Sequence, residues 1–178
     1  MKRTLIGGLV FAVLAWAAWR FSVVGPPPES APARPDSVST GLRAARLFFA
    51  SSDGDSLVNE SRDLAESGAL HERVASLIGE LVRGPRSRGV AVLPAGSSLA
   101  HVYLDDQGLM TLDFTPGFSH AFRGGSTAEY MAVASLVRTL AANIPEVRRV
   151  LIESGGQPLA TLGGHVPSDQ PFDVQDWP

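Results

Sequence analysis

A glycine-rich segment before a predicted helix is the part of this sequence whose residue types could bind a ligand. It consists of Arg123, Gly124, Gly125, Ser126 and Thr127. Free amides and the dipole at a helix N-terminus can hold a phosphate or carboxylate. However, Ser126 followed three residues later by Glu129 also matches a capping box, in which the two side chains satisfy amides of the first turn. A structural cap is the favoured interpretation, and anion binding at residues 123–127 is the alternative.

Acidic and histidine side chains elsewhere do not form a catalytic or metal-binding pattern. Asp105 and Asp106 suit a hairpin turn, and Asp113 is predicted at a solvent-facing strand position. Ser119 beside His120 lacks the strand-turn-helix context of a hydrolase nucleophile. No pair of histidines has the spacing of metal ligands; they are His71, His101, His120 and His165. We therefore expect no catalytic residues, no metal site and no cofactor, and a protein that is not an enzyme.

The sequence predicts two helices. The first covers residues 70–83 and ends at Gly84 and Pro85. The second covers residues 126–142, and Asn143-Ile144-Pro145 stops it. Its predicted apolar stripe comprises Tyr130, Val133, Ala134, Val137, Leu140 and Ala141. Ser135, Arg138 and Thr139 are predicted on the opposite side.

Alternating and continuous apolar runs predict the strands. They cover residues 44–50, 57–64, 100–105, 110–115 and 147–153. Residues 115–125 are predicted to be a loop, and the tail after Gly164 to be irregular. The order of elements predicts an α+β (mixed α/β) fold. It is a split β-α-β-β-α-β sandwich with one extra early strand, in which two helices cover one face of a mixed sheet.

The first 24 residues are predicted to be a transmembrane helix. Lys2 and Arg3 precede an apolar run of about 20 residues, long enough to span a bilayer, and they orient the N-terminus toward the cytoplasm. Residues 25–43 are rich in proline and predict an extended spacer. A domain at residues 44–172 and a tail at 173–178 would then lie outside the cytoplasm. The alternative is a cleaved signal peptide, giving a secreted or periplasmic protein.

Composition excludes several classes of protein. The formal net charge is -3 and the basic residues are scattered, so no nucleic-acid partner is expected. The sequence contains no cysteine, which excludes disulfides, thiolate metal sites and a lipid-modified cysteine. Any membrane attachment must therefore use the N-terminal helix.

Four stretches, taken in order and spacing, resemble the GerMN domain, which is named after the sporulation and germination protein GerM. They are residues 46–49 with 57–62, residues 81–85, residues 94–99 with 112–114, and residues 125–129 with 139–150. The sequence departs from the family pattern at Phe48, where tyrosine is usual, and at residues 153–156, where an Asp-Gly turn is usual. The resemblance implies an extracytoplasmic domain, similar to ring-building motifs, that has no catalytic residues.

The preferred functional hypothesis is a membrane-anchored scaffold for a bacterial cell-envelope assembly of the sporulation or germination type. Its partners would be other envelope proteins or copies of itself. The alternative is a protein that binds or processes cell-wall fragments, with the loop at residues 115–125 shaping its site.

Overall fold

The structure, a computed structural model, describes residues 41–178. This part of the chain begins with a β-hairpin. Strands β1 (Leu42–Ala50) and β2 (Leu57–Ala65) pair antiparallel and form a two-stranded sheet. Ala45, Leu47 and Phe49 alternate along β1 and face the core. Both predicted strands are confirmed. The predicted transmembrane helix at residues 1–24 and nearly all of the predicted spacer lie outside the described residues.

A second, four-stranded sheet contains the remaining strands. These are β3 (Leu99–Leu104), β4 (Leu109–Phe114), β5 (Arg149–Ser154) and β6 (Phe172–Asp173), in that spatial order. The sheet is mixed, because β4 and β5 run parallel while the outer pairs run antiparallel. The α+β class is therefore confirmed. The prediction of a single sheet is wrong, since the β1–β2 hairpin forms a sheet of its own.

Three helices complete the fold of residues 41–178. Helix α1 spans Leu70–Arg83, α2 spans Gly117–Ala121, and α3 spans Ser126–Asn143. Helices α1 and α3 agree with the predictions, whereas α2 lies in a segment predicted to be a loop. Helix α3 is buried on almost every side, and the prediction of one apolar face and one polar face is wrong. Ser135 and Thr139 are fully buried, while Tyr130 is 39% exposed.

The polar side chains of α3 explain why the fold has two sheets. The Ser135 hydroxyl donates to the Phe48 carbonyl (2.5 Å), and the Phe48 amide donates to the Thr139 hydroxyl (3.1 Å). The Asn143 side-chain amide donates to the Arg46 carbonyl (2.7 Å), and the Arg46 backbone amide donates to the Asn143 side-chain oxygen (3.0 Å). The backbone groups on this edge of β1 are thereby satisfied by a helix. Helix α3 takes the place of a neighbouring strand, so the hairpin does not join the larger sheet.

The C-terminal segment packs against the rest of the domain. After β6, a 3-10 helix spans Val174–Asp176, and the Trp177 ring then lies 4.8 Å from Tyr130 and 5.3 Å from Phe172, between ring centroids. The prediction of an irregular tail is corrected by these elements, because its aromatic residue is held by packing. No helix within residues 41–178 is long and apolar enough to cross a membrane.

Candidate functional site

The predicted ligand segment, Arg123 to Thr127, links α2 to α3. Gly125 is the extended residue before the helix, and no side chain caps the first turn. The Arg123 guanidinium donates to the carbonyls of His120 (2.5 Å) and Phe122 (2.8 Å). A Cβ at Gly124 would lie 2.5 Å from the Ala128 Cβ, so only glycine fits there. Close packing therefore accounts for Gly124.

A cleft of about 520 Å³ brings three of these five residues together. Arg123, Gly124 and Thr127 form one wall, and the turn at residues 51–54 and residues 90–94 form the others. Ser126 and Thr127 also line a neighbouring cleft of about 530 Å³, and Gly125 lines neither. The sequence-predicted residues are thus partly assembled into one concave surface.

An acidic side chain lies between these two clefts. Asp53 lines both of them. The nearby Ser51 side chain and its own backbone amide lower the pKa of Asp53, and its carboxylate is negatively charged at neutral pH. Its negative charge opposes the attraction that Arg123 and the α3 dipole exert on an anion. The clefts favour a ligand with both polar and uncharged groups over a bare phosphate.

The predicted capping box is wrong because Glu129 is used elsewhere. Its side chain is completely buried and accepts amide hydrogen bonds from Leu162 (2.9 Å), Gly163 (2.8 Å) and His165 (2.8 Å). Burial alone raises the pKa of Glu129, but the amide hydrogen bonds outweigh it and hold the pKa below its ordinary value. Glu129 therefore ties the segment after β5 to α3.

Sequence reasoning missed this role, although one signal for it was present. A Cβ at Gly163 would lie 2.7 Å from the Phe122 ring and 3.1 Å from the Glu129 carboxylate. The adjacent pair Gly163 and Gly164 marks a close approach of backbone to another group. The pair could have indicated that residues 162–165 wrap around a buried side chain.

A second buried charged cluster centres on Arg62, whose side chain is 2% exposed. Its guanidinium bonds the Glu60 carboxylate, the Glu80 carboxylate (2.5 Å) and the Gly84 carbonyl (2.6 Å). Glu60 in turn accepts from the Arg86 amide at 3.1 Å. These bonds join β2 to the C-terminal end of α1, where carbonyl groups lack helical partners. Each charge has an intrachain partner, so the cluster is built to hold the fold.

The other sequence candidates lie apart from these sites. Asp113 is buried, not solvent-facing as predicted, and accepts the Gly156 amide at 2.9 Å. The Asp105 carboxylate accepts the Gln107 and Leu109 amides within the β3–β4 turn. His120 contacts the Pro116 carbonyl at 2.8 Å. Within residues 41–178, no three histidine or acidic side chains are grouped closely enough to hold a metal ion.

Comparison with known proteins identifies the family. The family described as Germane, sporulation and spore germination, matches residues 46–160, which is more than half of the chain. This chain belongs to the Germane family. The predicted resemblance to the GerMN domain is thereby confirmed, and no curated protein matches the sequence.

Solved structures of other proteins share the Germane fold with this chain. The tandem GerMN domains of GerM from Bacillus subtilis align with a TM-score of 0.61 and 18% identity, covering 75% of this chain and 47% of that one. The first GerMN domain of the same protein aligns with a TM-score of 0.57 and 19% identity, covering 71% of this chain and 92% of that one. A "putative lipoprotein" from Clostridium perfringens aligns with a TM-score of 0.52 and 21% identity, covering 76% of this chain and 90% of that one. At these identities the similarity shows the fold.

The structure explains what some of the family-matching residues do in this Germane domain. Residues 57–62 and 81–85 meet at the Arg62 cluster, where β2 is joined to the end of α1. Residues 125–129 and 139–150 contribute Glu129 and Asn143, both of which fasten backbone from other segments. These parts of the resemblance therefore contain residues that stabilise the fold.

Proposed function

We propose that this chain is a membrane-anchored, outward-facing protein whose Germane domain supports a bacterial envelope assembly by binding other envelope proteins or copies of itself. The family match over residues 46–160, with its association with sporulation and spore germination, is the observation that carries the proposal. In this role the domain is a protein-interaction module and not an enzyme. It needs no cofactor and no nucleic-acid partner.

The chemistry of the described residues supports an interaction role. The buried charged side chains Arg62, Glu80 and Glu129 each bond several groups of the same chain. Catalytic carboxylates and bases are more typically poised beside open space where a substrate can reach them. Here the same residue types fasten elements to one another, and the surfaces that remain are available for partners.

The membrane part of the proposal rests on the sequence of residues 1–24. The apolar run after Lys2 and Arg3 has the length and flanking charge of a single-pass anchor. The similar fold of the Clostridium perfringens protein, whose description includes the word lipoprotein, is consistent with an envelope location for this fold. Because this chain has no cysteine, residues 1–24 would replace a lipid anchor.

Crosslinking in intact cells tests the proposal. We expect the full chain to fractionate with membranes and to be captured together with at least one envelope protein or a second copy. Mass spectrometry of the mature N-terminus would distinguish a retained anchor from a cleaved signal peptide. A chain that is released from cells and captures no protein would contradict the proposal.

A second candidate function is binding of cell-wall fragments, and the cleft of about 520 Å³ favours it. Its mixed lining, which includes both Arg123 and Asp53, suits a polar fragment that carries little net charge. We predict that Arg123→Ala would weaken the binding of muropeptides at least tenfold, as measured by calorimetry. The matched control Arg148→Ala changes an exposed arginine outside the cleft. Absence of binding by the wild type at millimolar ligand would rule out this function.

A further inference from the structure

Strand β2 is a free edge of the two-stranded sheet. Strand β1 bonds β2 on one side and the side chains of α3 on the other. On its outer side, β2 has no strand partner within residues 41–178. It is nine residues long. Its free edge presents backbone N–H and C=O groups that can accept another strand.

The bonds from α3 establish which backbone groups of β2 point outward. Arg46 and Phe48 direct their N–H and C=O groups toward α3, so they form non-hydrogen-bonded pairs with β2. The residues opposite them are Ser61 and Asn59. In such pairs both residues direct these groups away from each other. The outward residues of β2 are therefore Leu57, Asn59, Ser61, Asp63 and Ala65.

The sequence of β2 is self-complementary about Ser61. If a second copy pairs antiparallel at this centre, Ser61 lies opposite its own counterpart, and Asn59 lies opposite Asp63. Glu60 and Arg62 also lie opposite each other in the backbone register, but their side chains stay in the intrachain cluster described above. The outer pairs are apolar: Leu57 with Ala65, and Val58 with Leu64. Every outward residue meets an outward residue, so each can donate and accept one backbone hydrogen bond.

Neighbouring registers are disfavoured. A slip by two residues leaves two residues of each nine-residue strand unpaired, and it places Leu57 opposite Asp63 or Asn59 opposite Ala65. A slip by one residue places outward backbone groups opposite inward ones and breaks the ladder. Strand length and backbone direction thus select one register, and it has the two-fold symmetry that an isologous dimer requires.

We infer that this chain forms a two-fold dimer in which β2 pairs antiparallel with β2 of a second copy, centred on Ser61. The two hairpins then form one continuous four-stranded sheet. The inference deepens the proposed interaction role, on which it rests, by naming a second copy of the chain as one partner and β2 as the contact surface.

Introduced thiols test the register, because the natural sequence contains no cysteine. In membranes of cells that express the full chain, Ser61→Cys should give a disulfide-linked dimer on mild oxidation. Paired residues of this kind lie about 5.5 Å apart between Cα atoms, which is within disulfide range. Asn59→Cys and Asp63→Cys should not crosslink alone, since equivalent copies would lie about 13 Å apart along the strand. When co-expressed, they should crosslink to each other.

Two controls keep the test decisive. Glu146→Cys places a thiol on an exposed loop away from β2 and should not crosslink. Ser61→Pro removes an outward N–H but no bond to β1, which an edge strand tolerates. Added to the Asn59→Cys and Asp63→Cys pair, it should reduce crosslinking at least tenfold while the melting temperature confirms folding.

The outcomes distinguish this inference from the proposed function. A folded Ser61→Cys chain that stays monomeric, or an Asn59→Cys chain that crosslinks alone as well as it does in the mixture, would overturn the β2 dimer. If in-cell crosslinking still captured other envelope proteins, the proposed interaction role would stand without the dimer. Capture of no protein at all would remove both.

Discussion

The contrast between Ser126 and Glu129 shows how one residue pair can match a local motif and serve a tertiary purpose. The sequence Ser-x-x-Glu predicts a capping box, but the structure directs the Glu129 carboxylate into a loop that lies more than thirty positions away. Three backbone amides of this loop donate to the Glu129 carboxylate, whereas a capping box would supply only one amide donor. Long-range burial therefore decides its role, and no local pattern reveals it.

We predict that Glu129→Gln lowers the free energy of unfolding by about 2–3 kcal/mol. The amide that replaces one carboxylate oxygen would face the His165 N–H, which is itself a donor. Chemical denaturation of residues 39–178, the compact unit of the chain, would measure the loss. Ser126→Ala is the control and should change stability by less than about 0.5 kcal/mol, because Ser126 makes no capping bond. Equal losses in the two variants would restore the capping box.

Arg62 is the second residue whose burial dictates a measurable effect. We predict that Arg62→Met destabilises the domain by about 3–5 kcal/mol, because it leaves Glu80 and the Gly84 carbonyl without their buried partner. Arg83→Met is the matched control. Its side chain is 70% exposed and pairs with the same Glu80, so it should cost less than about 1 kcal/mol. A small effect of Arg62→Met in denaturation experiments would show that water replaces the arginine.

At the level of elements, α3 acts as a neighbour to the β1 edge. We predict that Thr139→Val lowers the free energy of unfolding by about 1–3 kcal/mol, since it leaves the buried Phe48 amide without an acceptor. Thr111→Val changes the same atoms on β4, where the side chain is only partly buried, and serves as the control. Thermal unfolding of both variants measures the difference. If the two costs are equal, the hydroxyl of Thr139 is not what holds β1 to the helix.

The elements were predictable to different extents for physical reasons. Periodicity of apolar residues places α1, α3, the hairpins and β5 because that signal is local. The division into two sheets depends on hydroxyl and amide groups of Ser135, Thr139 and Asn143 that are polar in sequence and buried in structure. Polar residues on a helix normally indicate its solvent face. Only the fold shows that these three meet a strand edge.

On the scale of the whole molecule, the candidate site was predictable only in part. Arg123, Gly124 and Thr127 are adjacent in sequence, so their location at a helix start could be anticipated. The rest of the cleft lining includes residues 51–54 and 90–94, and Asp53 among them changes the charge that a ligand would meet. Such long-range contacts depend on the packing of the hairpin against α3, which the sequence alone does not specify.

The stability of the whole domain should depend on pH through Glu60 and Glu129, two hydrogen-bonded carboxylates whose pKa is lowered in the folded state. Burial raises the pKa of each, but hydrogen bonds from Arg62 and the Arg86 amide to Glu60, and from backbone amides to Glu129, bring the pKa below its ordinary value of 4.5. A carboxyl group whose pKa is lower in the folded state adds stability above its unfolded pKa. That stability is lost as the pH falls through the folded pKa.

We therefore predict that the free energy of unfolding stays level near neutral pH and declines below about pH 4.5. Denaturation at a series of pH values would measure the decline. Glu129→Gln should make it shallower, because that variant has one fewer carboxylate to protonate. An equally steep decline in the variant would show that Glu129 does not contribute to acid unfolding.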